Sequence, residues 1–184
     1  MAMGGGRLDV TPERVASSPY AQMLVRSPHG DALMLLGNDD DGLLSWYSPL
    51  PRIVFLRDGL LAGSAGFPAD AEDIRIVGDN PFLRLAQVHA PVRTRREYDW
   101  SADYRFGVEV TGELRRIGEE SVEILGRAQT LVRFEEELRG PDIAATNLYW
   151  AEPATGFILR SRQWLAPGTE LELVQLKPYR GTTQ

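Results

Sequence analysis

The sequence predicts an all-β protein with a few short helices, built as one large curved antiparallel meander, a half-barrel or open barrel. Three observations predict it. About a dozen short runs alternate apolar and polar side chains with period two, the spacing of a strand with one packed face. Tight-turn residues separate these runs. Asp58-Gly59 is the strongest signal, because both central positions of a type I′ turn need positive φ. No strand–helix–strand alternation calls for a parallel sheet. A large meander with one buried face curls, because strands twist.

Along the chain, the glycine-rich start is set aside as a flexible tether or expression remnant spanning 1–10, and a single β-rich domain is expected over 11–180. Thr11-Pro12-Glu13 has the cap, proline and acid order of a helix start, and Ser17-Ser18-Pro19 stops that helix within two turns. Residues 20–26 read as a strand, Pro28-His29-Gly30 as its turn and 32–36 as its partner. Asn38 to Gly42 reads as an acidic turn, and 43–47 as a strand. Residues 52–56 pair with 60–64 across Asp58-Gly59. Residues 68–73 are expected to form a short helix. Strands are expected over 83–88 and 92–100, and alternation continues through Tyr104, Phe106, Val108 and Val110. A turn near 117–120 precedes strands over 121–125 and 128–138. On the second, Thr130, Val132 and Phe134 share one face, and Arg133 and Glu135 the other. Two strands flank the turn from Pro153 to Gly156, and a third follows Pro167-Gly168. There Leu171 and Leu173 fall out of phase with Val174 and Leu176, which predicts a bulge near Leu173-Val174.

Composition narrows the function classes. The chain has 184 residues, 43% of them hydrophobic, enough for one core. A net charge of −6, from 26 acidic and 20 basic residues, argues against a nucleic-acid partner. Lys177 is the only lysine, so the basic groups are almost all arginine. There is no cysteine, hence no disulfide, thiol nucleophile or thiolate metal site. No apolar run has the length of a membrane span, and no charged segment followed by an apolar one opens the chain.

No local motif calls for a catalytic residue, a metal or a cofactor. The Asn38 to Gly42 turn lacks the ligand spacing of a calcium loop. His29 and His89 lie in no metal-ligand spacing, and no Gly-x-Ser-x-Gly elbow presents a serine. A triad assembled in space is defined by geometry and stays open. Glu135-Glu136-Glu137 puts Glu135 and Glu137 on one strand face, with no acid placed opposite them as a glycosidase needs. The sharpest cluster runs from Arg93 to Trp100. Arginine forks hold carboxylates bidentately and aromatic faces stack on sugar rings, so Arg93, Arg95, Tyr98 and Trp100 form a candidate acidic-glycan surface. The simpler reading is a solvated face whose arginines pair with Glu113, Glu119 or Glu120. Trp46 and Trp150, among apolar neighbours, are expected in the core, whereas Trp164 beside Arg162 is the aromatic expected to face a groove.

The order of short motifs carries a resemblance. It includes Ser18-Pro19-Tyr20-Ala21, Trp46, Arg57-Asp58-Gly59-Leu60, Gly66-Phe67 and Asp79-Asn80-Pro81-Phe82. It closes on Asn147-Leu148-Tyr149-Trp150, Ala154 to Phe157, Ser161-Arg162-Gln163-Trp164 and Leu176-Lys177-Pro178. This order resembles the group 4 capsule polysaccharide lipoproteins, the YjbF/GfcB type, over roughly residues 11–178. The resemblance implies a non-catalytic periplasmic accessory of exopolysaccharide or capsule production or export. It implies partners in the export machinery, an acidic polysaccharide as a possible ligand, and attachment to the outer membrane through a lipid-accepting cysteine upstream of this chain. Two alternatives stay open: a carrier of a lipid or other apolar ligand in the concave face, and a polysaccharide-modifying enzyme. Apolar walls on that face would favour the carrier, aromatic and arginine walls the glycan binder, and converging acids the enzyme.

Overall fold

The computed structural model describes residues 6–181. The proposed tether thus lies partly outside the described residues, and 6–10 run without regular structure into a short helix α1 (Pro12–Ala16). Thr11 caps it by accepting a bond from the Arg14 N–H, with Pro12 at the first turn. Twelve strands follow: β1 (Gln22–Ser27), β2 (Gly30–Asp40), β3 (Leu43–Tyr47), β4 (Ile53–Arg57), β5 (Leu60–Ala65), β6 (Asp73–Ile76), β7 (Val92–Trp100), β8 (Arg105–Ile124), β9 (Arg127–Gly140), β10 (Ile143–Ala151), β11 (Ile158–Ala166) and β12 (Thr169–Lys177). They form one antiparallel sheet in the order β5-β4-β3-β2-β1-β12-β11-β10-β9-β8-β7-β6. The expected curved meander is therefore present, and it nearly closes into a barrel.

Pairing of β1 with β12 turns the meander into two wings that curl until β5 and β6 approach each other. At that seam the Ser64 N–H donates to Ala71 O (2.9 Å). A side chain completes the closure. Gln163 of β11 accepts from the Leu61 N–H (2.9 Å) and donates to Gly59 O (3.0 Å), so the free edge of β5 is satisfied from inside. The largest buried cluster takes residues from all twelve strands, among them Met23, Met34, Trp46, Val54, Leu61, Ile74, Tyr98, Val110, Leu138, Ile143, Leu165 and Leu171. Such a cluster can form only in the barrel interior.

Several expectations are corrected. Residues 68–73 make no helix. The Asp70 carboxylate takes the N–H groups of Gly66 and Phe67 and the Ser64 hydroxyl, folding the segment into a loop that leads to β6. The segment expected as a strand over 83–88 is a 3₁₀ turn, Pro81–Gln87, begun by Asn80 Oδ1 accepting from the Phe82 N–H (3.0 Å) and by Pro81 after it. That cap-and-proline signal stood in the sequence. The turn expected at 117–120 is a bulge between Arg116 and Gly118, inside the 20-residue strand β8. Asn38 to Asp40 belong to β2, and only Asp41-Gly42 turns. The Asp58-Gly59 hairpin stands, with φ of 54° and 79°.

The phase break in β12 also has a different cause. Pairing with β11 runs in register through Leu173 and Val174, and the irregularity lies at Leu176, opposite Gln22 and Met23. Leu171 and Leu173 point into the barrel. Val174 and Leu176 point outward, against a separate cluster of Val122, Ile124, Leu131, Trp150 and Leu159. The tip of the long β8–β9 hairpin covers part of the outer wall, so β12 is apolar on both faces.

Candidate functional site

Strand β7 alternates as its sequence predicts, and the alternation divides the candidate residues. Arg93 and Arg95 are exposed, whereas Tyr98 and Trp100 are buried. Arg95 pairs with Glu109 across β8 (2.8 Å), and both side chains are 58% exposed. Arg162 is likewise exposed and pairs with Glu170 (2.9 Å). The aromatic members gather separately. The Tyr98 and Trp100 rings stack at 5.2 Å, and Trp164 meets them edge-on at 5.2 and 5.5 Å. The Trp100 indole N–H donates to Leu165 O (3.1 Å). The six residues thus form a set of outward arginines and an aromatic trio of buried Tyr98 and Trp100 with half-buried Trp164, not one surface. Trp46 and Trp150 are buried as expected, and His29 and His89 are exposed, one in the turn between β1 and β2 and the other in the segment before β7.

The inward side of β7 carries groups that motif reading did not single out. Thr94 and Arg96 face Glu136 of β9 and Asn147 and Tyr149 of β10, and all five are at most 1% exposed. Arg96 pairs with Glu136 Oε1 and donates to Tyr149 Oη (3.0 Å). Tyr149 Oη donates to the same carboxylate oxygen (2.7 Å), and Thr94 Oγ1 donates to Oε2 (2.6 Å). Asn147 Nδ2 donates to Tyr149 Oη (3.1 Å), while its Oδ1 accepts from the Trp164 N–H (2.8 Å). Phe82 of the 3₁₀ turn closes the group, edge-on to Tyr149 at 4.9 Å and under the Arg96 guanidinium at 5.6 Å. Gly112 makes room: a Cβ there would lie 2.2 Å from Thr94 Oγ1 and 2.9 Å from Glu136 Oε2.

Electrostatics fit a locked ion pair. Burial would lower the Arg96 pKa, but the Glu136 charge outweighs it and holds the guanidinium protonated. Burial, reinforced by the Glu136 charge, pushes the Tyr149 phenol well above its ordinary value. Burial likewise raises Tyr98 to about 12, against the opposing pull of Arg96. Every polar atom that Glu136 offers is thus taken by a donor, so it is no free acid for chemistry. Glu135 is held by Arg133 (2.6 Å) on the opposite face. Among the described residues no three His, Asp or Glu side chains gather as a metal site.

The signal for this network lay in the last third of the chain. Asn147-x-Tyr149 and Ser161-x-Gln163 have period two, so each pair projects inward on its strand. The sequence points first to their neighbours, the exposed Arg162 and the half-buried Trp164. The arginines of the seam are also engaged. A cleft of about 210 Å³ between β5 and β6 is lined by Arg57, Arg75 and Arg96. Arg75, however, is bound by Asp73, Glu97 and Asp99, and Arg57 donates to Asp41 O (3.1 Å).

The comparisons agree with this architecture. Residues 3–176 match the family model described as group 4 capsule polysaccharide lipoprotein gfcB, YjbF. The chain is 24% identical over 176 residues to the uncharacterized lipoprotein GfcB of Escherichia coli (strain K12), covering 93% of this chain and 82% of that one. It superposes on the crystal structure of the hypothetical lipoprotein YmcC of Escherichia coli (K12) with a TM-score of 0.83 and 24% identity, over 92% of this chain and 90% of the other, which establishes a shared fold. With the family model covering nearly the whole chain, the protein belongs to the group 4 capsule polysaccharide lipoprotein family, the YjbF/GfcB type.

Proposed function

We propose that this protein is a non-catalytic accessory of capsule or exopolysaccharide production, held on the periplasmic side of the outer membrane by a lipid anchor encoded upstream of this chain. It works through its outer surface on the glycan or on the export machinery. The observation that carries this reading is the state of Glu136, the one acid buried among the described residues. It is held by Arg96, Tyr149 and Thr94 and packed behind Phe82, so it supports a structural role better than a catalytic one. Contact with a polysaccharide then falls to exposed groups, and Arg93, Arg95 and Arg162 are the cations suited to carboxylates on an acidic glycan. Their present partners, such as Glu109 and Glu170, are exposed and weakly held, so a glycan carboxylate can displace them.

The test is genetic and biochemical together. Deletion of the gene should lower surface polysaccharide, and the intact precursor should restore it and fractionate with membranes in detergent-extractable form. Purified protein should be retained by the organism's acidic polysaccharide at low salt. Retention should weaken when Arg93, Arg95 and Arg162 are changed together to Ala. Unchanged surface polysaccharide in the deletion strain would refute the process assignment. Retention indifferent to the triple substitution would refute the arginine face alone.

A further inference from the structure

We propose that one mouth of the barrel is a binding site for a single-chain amphiphile, closed by the C-terminal segment as a strap. A cavity of about 520 Å³ opens beside the Asp58-Gly59 hairpin. This falls within the range of about 300–1,000 Å³ usual for small-molecule sites. Its wall is largely apolar: Leu44, Leu56, Phe82, Leu83, Phe157 and Ile158. Two further lining residues carry polar atoms that are buried and lack a partner among the described residues, the indole N–H of Trp46 and the amide oxygen of Gln175. Other buried atoms without a partner among the described residues, such as Gln22 Oε1 and Arg96 Nε, do not line this cavity, so here Trp46 and Gln175 are the donor and the acceptor awaiting a group. A hydroxyl or amide head can serve both, and an acyl tail suits the wall.

The strap lies over this mouth. After Pro178 the chain leaves the sheet, and Tyr179, Arg180 and Gly181 line the same cavity. Tyr179 Oη donates to Asp39 (2.7 Å) on one rim. Arg180 grips Glu152 on the other rim with two bonds, at 2.5 and 3.1 Å, and its guanidinium sits 4.4 Å above the Phe157 ring. These contacts are partly exposed, so they can open without unfolding the barrel. This site is separate from the outer arginines, and it stands or falls independently of the process assignment.

Lauroyl ethanolamide, titrated by calorimetry below its aggregation concentration, tests the site. One ligand per chain is expected, with the negative heat-capacity change of apolar burial. Leu44→Arg places a charge in the wall, and Leu83→Trp fills the mouth from an exposed position; each should weaken binding at least about tenfold. Ile117→Arg, on an exposed residue away from the cavity, should leave binding unchanged. Arg180→Gln should speed dissociation measured by stopped flow. If Leu44→Arg does not fold, Leu83→Trp decides. No binding, binding indifferent to the folded wall variants, or equal weakening by Ile117→Arg overturns the proposal.

Discussion

The two walls of the barrel interior solve the same packing problem in opposite ways. Across β7, β9 and β10 the inward side chains include Thr94, Arg96, Glu136, Asn147 and Tyr149, joined by hydrogen bonds. Across β1 to β4 they include Met23, Met34, Trp46 and Val54, which meet one another by shape. Hydrogen bonds are directional, so the polar wall fixes register: slipping one strand by one residue would bury the charge of Arg96 or Glu136 without its partner. The apolar wall sets no such condition, and it borders the cavity and the strap. One half of the interior thus specifies the fold, and the other leaves space that a ligand can take.

Breaking the polar wall should have the largest effect. Arg96→Met leaves Glu136 buried beside Tyr149 and Thr94 without its cation. That should cost about 3–5 kcal/mol, read by denaturant unfolding. Arg96→Met combined with Glu136→Leu should recover much of it, since the penalty is an uncompensated charge. A double variant as unstable as the single one would show that the network's value lies in its bonds to Tyr149 and Asn147 instead. Met34→Ala in the apolar wall should cost about 2–5 kcal/mol with no such rescue available, because its loss is cavity and transfer energy.

A matched pair of tryptophans sharpens the contrast. Trp46 and Trp100 are both buried, at 0% and 3% exposure. The Trp100 N–H serves Leu165 O, at the bulge where the ladder with β12 is interrupted, whereas the Trp46 N–H has no partner among the described residues. Both Trp→Phe changes shrink the core, but only Trp100→Phe strips a carbonyl of its donor. It should therefore be the more destabilising by about 1–3 kcal/mol in chemical denaturation. Equal losses would mean that the Trp46 N–H is satisfied in solution, which would remove one support of the amphiphile site.

The sequence made the outline of the barrel legible and hid what fills it. Strands such as 43–47 and 92–100 were readable because local alternation and turn residues decide them, and the Asp58-Gly59 turn needed only its φ preference. The misses share a cause. Assuming one buried face per strand turned the two-faced apolar pattern of β12 into a bulge, because nothing local says that a distant hairpin tip covers Val174 and Leu176. The turn expected at 117–120 is a bulge, and nothing local distinguishes a glycine that bends a long strand from one that ends it. The inward network was hidden by parity: Arg93 and Arg95 attract notice as charges, while Arg96 between Arg95 and Glu97 reads as more of the same. Its role depends on Glu136, 40 residues away, and on Gly112, whose missing Cβ leaves the space for them.

Titration separates the walls with a gentler perturbation. Tyr98 and Tyr149 keep their protons in the folded barrel beyond the ordinary phenol value of 10.0, Tyr98 to about 12. Below pH 10 folded and unfolded chains are alike at these groups, and their stabilising contribution is fully present. As pH rises past 10 the unfolded chain releases the protons first, so stability should fall through pH 10–12. Thermal midpoints should show this decline, and Tyr149→Phe should flatten it. A decline unchanged by that substitution would place the alkaline sensitivity in Tyr98 or in general charge repulsion.

The smallest effect belongs to the outer side of the same strand. Arg95→Ala removes a pair with Glu109 that is exposed at both ends, so it should change folding stability by under about 1 kcal/mol, less still at high salt. Its neighbour Arg96 differs by one position and one face, and the contrast between the two is the cleanest measure of what burial adds to a charge on β7. If Arg95 works on an acidic glycan, its removal should weaken retention on the polysaccharide at low salt while the thermal midpoint stays within about 2 °C, a shift of no more than about 1 kcal/mol for a domain of this size. Glu109→Ala should strengthen retention, because it frees the guanidinium from its competitor. Opposite responses to two substitutions in one ion pair, with stability flat for both, would be hard to obtain from a solvated structural face. Parallel responses, or none, would return Arg95 to that simpler role.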